Sequence, residues 1–487
     1  MTYKDSNKDI VMITADALRY SSFNEVTMPF IYRKKGIEFK NCFSPSTWTL
    51  PSYASFFTKR TPIQHNITRM EDRIKRGDLT LLDHLRYNNF EVLGFSDNPF
   101  LGSMNGFNTG FDFLDENISY KVFPTQYSII DFRAKDRGKI IEKILQDENT
   151  HEDVINLLYG TYRFTRNHID NLRYDHRSDR ILDHMSNLIK HHKKKKVMFT
   201  NLLDPHPPYT SSETGSKKLG LEFTTEEKEV LSKGGVKDFL LLKKDPPTTF
   251  MGKRLFDDWD DFFSLQLKAY RSQIRYLDLL LEEWFEKNRT YLEDSMVIFT
   301  SDHGQLFGEE NFCGHHTSLH PNGIHIPLKI FPPKDWGYSD KKVTDNVSLI
   351  GLSHALDRYG KGEINTEDEF KATITDQSKI DGKIVIAVDG PTWDTEELKK
   401  SYPKKNVKKL EVRKIGLIEG DGMDVYSSYW WNDEIIHRRF EISQNSRTLE
   451  YEKIEEPHRD DYKRWLQKSD VNSEKTKLKK VISDMNI

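Results

Sequence analysis

Several stretches of this sequence gather side chains able to hold a metal ion or to attack an ester. Ser301-Asp302-His303-Gly304 sets a carboxylate beside an imidazole, a hard and a borderline ligand for a divalent cation. The glycine suits a sharp backbone turn beside an ion. Asp16 stands just past an apolar run, as do Asp97 and Asn98, and again Asp204 and His206. In Thr47-Trp48-Thr49-Leu50-Pro51-Ser52, Pro51 fits the first turn of a helix and puts Thr49 at or just before its N-terminus. Unpaired backbone N–H groups and the helix dipole favour an anion there, such as a phosphate or sulfate group. Taken singly, each feature has a plainer role: Asp16 and Thr49 as caps, Asp302 and His303 as loop residues.

The elements that must position these groups are short apolar runs, at Ile10–Thr14, Glu91–Phe95, Val197–Leu203 and Met296–Thr300. They read as buried strands of a parallel sheet, and helical periods at Thr80–Tyr87 and Phe262–Asn288 lie between them. The alternation predicts an α/β domain: a mostly parallel central sheet flanked by helices. In such sheets ligands bind at the carboxyl ends of strands, so four segments aim their chemistry at one edge. Beyond about residue 380, strand-like runs at Lys383–Val388, Met423–Trp431 and His437–Ser443 predict a smaller C-terminal α+β subdomain with a partly antiparallel sheet. The division is 1–375 for the catalytic unit and 376–487 for the subdomain, which ends in a charged helical tail over Glu455–Ile487. Lys193–Lys196 reads as the solvated end of a helix.

With 487 residues and 12% aromatics, the chain can fill a large core and is not of the disordered class. A net charge of -3 gives no sign of a nucleic-acid partner. Cys42 and Cys313 are the two cysteines, too few for a disulfide framework, and free thiols are the expectation. Neither an apolar leader nor a run long enough for a membrane span is present, so the sequence reads as cytoplasmic. Oligomeric state leaves no trace in it.

The order of these segments resembles the sulfatases of the alkaline phosphatase superfamily, over roughly residues 8–355. The likeness is carried by Ile13-Thr14-Ala15-Asp16-Ala17-Leu18-Arg19, Pro51-Ser52 running without gaps to His65, and Asp204-Pro205-His206-Pro207-Pro208-Tyr209. Asp302-His303-Gly304-Gln305-Leu306-Phe307-Gly308-Glu309 and Gly314-His315 with Ile324-His325-Ile326-Pro327-Leu328 complete it. The resemblance implies that Asp16, Thr49, Asp302 and His303 hold one divalent metal (Mn, Mg, Ca or Zn). It implies Thr49 as the nucleophile, with His206 on a substrate oxygen or aiding proton transfer. His315 would donate to the leaving group, and Asn98 and Lys59 are further candidates for contacting the anion. The substrate would be a small-molecule or saccharide ester.

The departures from the family pattern carry information. Sulfatases place Cys or Ser at the Thr49 position for conversion to formylglycine, and threonine cannot become that aldehyde. The resemblance therefore implies a metal-dependent hydrolase of a phosphate or sulfate ester, with phosphoesters favoured. Alternatives are a phospho-group transferase acting on a cell-surface polymer precursor and a non-catalytic binding protein on the same fold. The family's arginine after the nucleophile is Tyr53, and its Thr-Gly is Thr58-Lys59, so the Lys59 cation stands in part for that arginine. Asp16-Ala17 replaces an Asp-Asp pair. Two-metal relatives use Asp-x-x-x-His, and the shorter Asp204-Pro205-His206 points to one ion, with a second possible.

Overall fold

The structure is a computed structural model. It describes residues 8–116, 177–232, 256–388, 414–421, 424–431 and 434–441, together with 154, 158 and 161. Positions 76, 77, 79, 80, 192, 257, 258, 310–312, 317, 338, 339 and 381 inside those spans are not described.

Eight strands form the central sheet: β1 (Ile10–Ala15), β2 (Ile37–Phe43), β3 (Glu91–Ser96), β4 (Phe113–Glu116), β5 (Lys196–Leu202), β6 (Met296–Thr300), β9 (His325–Phe331) and β10 (Lys341–Ser348). A small hairpin of β7 (Leu306–Phe307) and β8 (Cys313–Gly314) lies between β6 and β9 in the chain. The order is β10-β2-β9-β6-β1-β5-β3-β4. Of the eight, β9 alone runs against the rest, pairing antiparallel with both β2 and β6. The chain thus has an α/β fold with a mostly parallel mixed sheet, as its strand signals predict.

Alternation along the strands sorts side chains to two faces. Ile10 and Met12 of β1 join one buried cluster, with Phe56 and Phe57 of the helix Thr49–Thr58 and Leu352 and Leu356 of the helix Leu349–Gly360. Val11, Ile13 and Ala15 join the other, against Ile181 and Met185 of the helix Arg177–His191 and the long helix Trp259–Lys287. Because β1 is buried on both faces, its carboxyl end delivers Asp16 into the interior between β5 and β6.

Beyond β10, β11 (Ile384–Val388), β12 (Lys414–Asp421), β13 (Asp424–Trp431) and β14 (Glu434–Glu441) make a four-stranded antiparallel sheet. It is not separate from the catalytic unit at its β11 edge. Ile384, Ile386 and Val388 pack into the first cluster, and Ala387 N–H donates to the Pro45 carbonyl at 3.1 Å. The proposed tail helix 455–487 lies outside the described residues. Lys193 and Lys194 are exposed, but Lys196 is not a solvated helix end. It opens β5, is buried, and its Nζ meets Asp9 Oδ2 at 2.9 Å.

Candidate active site

Thr49 is the first residue of its helix, and Trp48 is the N-cap with no side-chain capping bond. The threonine hydroxyl therefore does not serve the cap. Its Oγ1 accepts a hydrogen bond from Asn98 Nδ2 at 3.0 Å and lies 3.4 Å from His303 Nε2. The loop ahead of it is tied down on both sides. Ser44 Oγ donates to the Asp302 carbonyl and pairs with Ser52 Oγ at 2.8 Å, while Ser46 Oγ donates to the Ala387 carbonyl at 2.8 Å.

Asp16, Asp302 and His303 are buried, with ligand atoms all within 4.8 Å of one another. Asp16 Oδ2 accepts from Asn98 Nδ2 at 2.7 Å and Asn201 Nδ2 at 2.9 Å. Asp302 Oδ1 accepts from the Ala17 and His303 N–H groups at 3.2 and 3.0 Å. Asp16 Oδ1 and Asp302 Oδ2 are buried without a hydrogen-bond partner. Two such orphaned oxygens are costly unless a cation meets them. His303 Nδ1–H donates to the Gly304 carbonyl at 2.8 Å, which leaves Nε2 as the unprotonated nitrogen, 3.5 Å from Asp16 Oδ1 and 3.6 Å from Asp302 Oδ2. Burial, then the charge of Asp16, pushes the Asp302 carboxyl well above the usual carboxylate range. Burial holds the His303 imidazolium form down, so the ring is neutral and able to ligate. Two carboxylate oxygens and one imidazole nitrogen fit a divalent ion; the set does not separate Mn, Mg, Ca and Zn.

Two more histidines close the pocket by the same device. His206 Nδ1 meets the Pro207 carbonyl at 2.7 Å and His315 Nδ1 meets Gln305 Oε1 at 2.8 Å. The neutral His315 ring therefore carries its proton on Nδ1 and leaves Nε2 unprotonated, and His206 Nδ1–H likewise donates to a carbonyl. The rings of His206 and His303 lie 5.0 and 4.6 Å from that of His315. Burial and then the neighbouring histidines push His315 well below the ordinary histidine range. A neutral His315 can give a proton to a leaving group only after it has accepted one.

Of the residues singled out in the sequence, Asp16, Thr49, Asn98, His206, Asp302, His303 and His315 come together at the carboxyl edge of the sheet. Lys59 does not. It caps the far end of the Thr49–Thr58 helix in the left-handed region (φ 58°), ten residues or about 15 Å along the axis from Thr49. Its Nζ is committed to Asp357 Oδ2 at 2.5 Å and His84 Nδ1 at 3.1 Å. Gly304 is also used differently from expectation. Its φ is not in the left-handed region, but an added Cβ would sit 2.0 Å from the Asn322 carbonyl oxygen.

Asn201, Tyr53 and His316 were missed as site residues. Tyr53 lies one helical turn beyond Thr49, and its hydroxyl accepts from Asn201 Nδ2 at 3.1 Å. His316 follows His315 with a backbone φ of 100°, and the two rings are 4.2 Å apart. A non-glycine residue held there stores strain of about 1–3 kcal/mol, a feature that clusters at functional sites. The signals were an amide inside an apolar strand and a His-His doublet.

The sequence matches the family model described as Sulfatase over residues 8–356. The chain belongs to the sulfatase family. A search of curated proteins by sequence found no match. Among solved structures, the chain is similar to the phosphonate monoester hydrolase of Agrobacterium radiobacter, at 15% identity and a TM-score of 0.57, covering 89% of each chain. It is similar to the phosphonate monoester hydrolase of Silicibacter pomeroyi, at 12% identity and a TM-score of 0.52, again covering 89% of each. A structure described as in complex with its substrate D-glucosamine-2-N,6-O-disulfate matches at 11% identity and a TM-score of 0.57, covering 98% of each. At these identities the likeness is one of fold. The buried Asp16, Asp302 and His303 group is consistent with a metal site of this sulfatase-family chain. Among the described residues, no helix is long and apolar enough to cross a membrane.

Proposed function

We propose that this chain is a divalent-metal-dependent hydrolase of phosphate or sulfate esters, phosphoesters favoured, acting through a covalent Thr49 ester. The observation that carries this is the Thr49 hydroxyl itself. It is free of capping duty, stands at a helix N-terminus, and lies beside Asn98, His303 and two bare carboxylate oxygens.

An ion on Asp16, Asp302 and His303 supplies positive charge that favours the deprotonated Thr49 oxygen and offsets charge on the ester. Thr49 Oγ1 attacks phosphorus or sulfur in line, and its new bond forms as the bond to the departing alcohol oxygen breaks. The hydroxyl proton passes to Nε2 of His206 or His315 and from there to the departing oxygen. Water then cleaves the Thr49 ester by the reverse route and restores the hydroxyl. Asn98 holds the nucleophile oxygen in place throughout. Phosphoesters are favoured because threonine has no route to the formylglycine aldehyde whose hydrate expels sulfate. A saccharide leaving group is supported by the similar structure bound to a sulfated glucosamine.

The test is turnover of aryl phosphate monoesters, phosphodiesters, phosphonate esters and sulfates, with and without Mn2+, Mg2+, Ca2+ or Zn2+, alongside Thr49→Ala. The expected result is metal-dependent turnover that falls by at least about 10³-fold in the variant. Metal-independent turnover, or full activity after Thr49→Ala, overturns the mechanism. Sulfate turnover above all phosphoesters overturns the substrate preference alone.

A further inference from the structure

Asp16 has two oxygens, and the fold treats them differently. Oδ2 accepts two N–H bonds, from Asn98 and from Asn201, while Oδ1 accepts none and faces His303 Nε2 at 3.5 Å. A carboxylate held in this way can offer a cation one oxygen in one fixed direction. Asn98 comes from the loop after β3, and its amide also serves Thr49. Asn201 belongs to β5, which pairs with β1 along its whole length. Thr14 and Asn201 face each other across that pairing, so Asn201 and Asp16 keep their spacing through the ladder itself.

Asn201 is fully buried, and its two amide hydrogens go to Asp16 Oδ2 and to the Tyr53 hydroxyl. The opposite amide orientation would set Oδ1 against the carboxylate, so the assignment follows from charge. Its own Oδ1 is buried without a partner. An apolar side chain would avoid that unmet acceptor, and packing alone gives no reason for an amide here. Tyr53 sits at the position where the resemblance places an arginine, and its hydroxyl meets the site through the Asn201 amide at 3.1 Å.

We propose that Asn201 is a positioning residue that makes Asp16 a one-oxygen metal ligand, and that Tyr53 acts through it. This rests on the metal-dependent reading above. Partners behind a metal ligand typically control affinity by about 10- to 100-fold. The tyrosine hydroxyl, one neutral hydrogen bond further away, controls less, about 2- to 10-fold.

The test is calorimetric titration of metal-free protein with Mn2+, for the wild type, Asn201→Ala, Tyr53→Phe and the double variant. Circular dichroism and thermal unfolding of the same metal-free samples establish that each is folded. Asn201→Ala is expected to weaken Mn2+ binding 10- to 100-fold, and Tyr53→Phe 2- to 10-fold. The double variant is expected to match Asn201→Ala alone, because Tyr53 has nothing left to orient. Folded Asn201→Ala that binds Mn2+ within 3-fold of wild type overturns the proposal. Additive losses in the double variant overturn the role assigned to Tyr53. If Asn201→Ala fails to fold, Tyr53→Phe decides: wild-type affinity there refutes the relay, and a loss within the stated range supports it. Wild-type protein that binds no Mn2+, Mg2+, Ca2+ or Zn2+ refutes the metal-dependent reading instead, a result distinct from all of these.

Discussion

Substituting Gly304 by alanine tests whether the metal group is set by backbone packing. The added Cβ would meet the Asn322 carbonyl oxygen at 2.0 Å, the Asn322 carbonyl carbon at 2.9 Å and the Gly323 carbonyl carbon at 3.2 Å. All three are backbone atoms, so no side chain can swing aside. Reaching ordinary contact requires the two segments to separate by more than 1 Å. That displacement breaks the Gly304 N–H bond to the Gly323 carbonyl (2.9 Å) and the Gln305 N–H bond to the Asn322 carbonyl (2.8 Å). Two lost hydrogen bonds at about 1 kcal/mol each, with overpacking of about 1–3 kcal/mol, give a destabilisation of about 3–5 kcal/mol. Asp302 and His303 precede Gly304 directly, and a 1 Å displacement of reacting groups costs on the order of 10²-fold in rate. Urea unfolding reads the first effect and kcat/KM the second. Gly323→Ala is the matched control, because its Cβ would meet only the Ser318 carbonyl oxygen at 3.3 Å and Leu306 Cδ2 at 4.0 Å. That variant is expected to stay within about 1 kcal/mol of wild type. A Gly304→Ala protein as stable and active as Gly323→Ala refutes the reasoning.

Other perturbations have equally definite outcomes. Burial lowers both His320 and His325 to about 4, so the folded state resists protons that the unfolded chain accepts from about pH 6.5 downward. Their contribution is complete above pH 6.5 and is lost as pH falls toward 4, about 2 kcal/mol each by pH 5. His325→Gln should therefore lose about 2 kcal/mol less than wild type between pH 8 and pH 5 in urea unfolding, and an unchanged slope counts against this. Arg180 is buried between Asp97 and Asp115, with bonds of 2.8 Å to each. Arg180→Met takes the guanidinium away from two buried carboxylates, of which Asp115 still meets His184 Nδ1 at 2.8 Å, and is expected to cost about 3 kcal/mol of stability, against near-neutral effects for an exposed arginine such as Arg289. Asn98→Ala removes the amide shared by Thr49 and Asp16. It should lower kcat by on the order of 10²-fold with the fold intact by circular dichroism, and unchanged kcat would remove Asn98 from the site.

The legible parts of this molecule were those whose physics is local. β1, β3, β5 and β6 are buried on both faces, so they appear as continuous apolar runs, and the polar residues just beyond them mark the site edge. β2, β9 and β10 are less visible because their burial is mixed with charge. β2 carries buried Glu38 and Asn41, β9 carries buried Lys329 bonded to the Tyr32 carbonyl, and β10 is a polar edge strand. Asn201 lies inside a run that reads as a strand, and nothing local marks which residue of that strand meets Asp16 on its neighbour. Lys59 was misplaced because nearness to Thr49 in sequence is not nearness along a helix. Thr49, Asp302 and His303 were readable, whereas Asn201 behind them reaches Tyr53 and Asp16 across 148 and 185 residues.

The tie between Ser46 and Ala387 joins residues 341 positions apart. At about 5–20 residues per second, a ribosome completes that stretch roughly 20–70 s after the threonine has emerged. Until β11 arrives, the loop ahead of Thr49 lacks the bonds that Ala387 makes to Pro45 and Ser46. A chain that stops between residues 325 and 386 thus holds Asp16, Thr49, Asp302 and His303 without the Ala387 bonds to the loop ahead of Thr49. The setting of Thr49 is in this way a property of a chain that extends at least to Ala387, and not of the segment carrying Thr49, Asp302 and His303 alone.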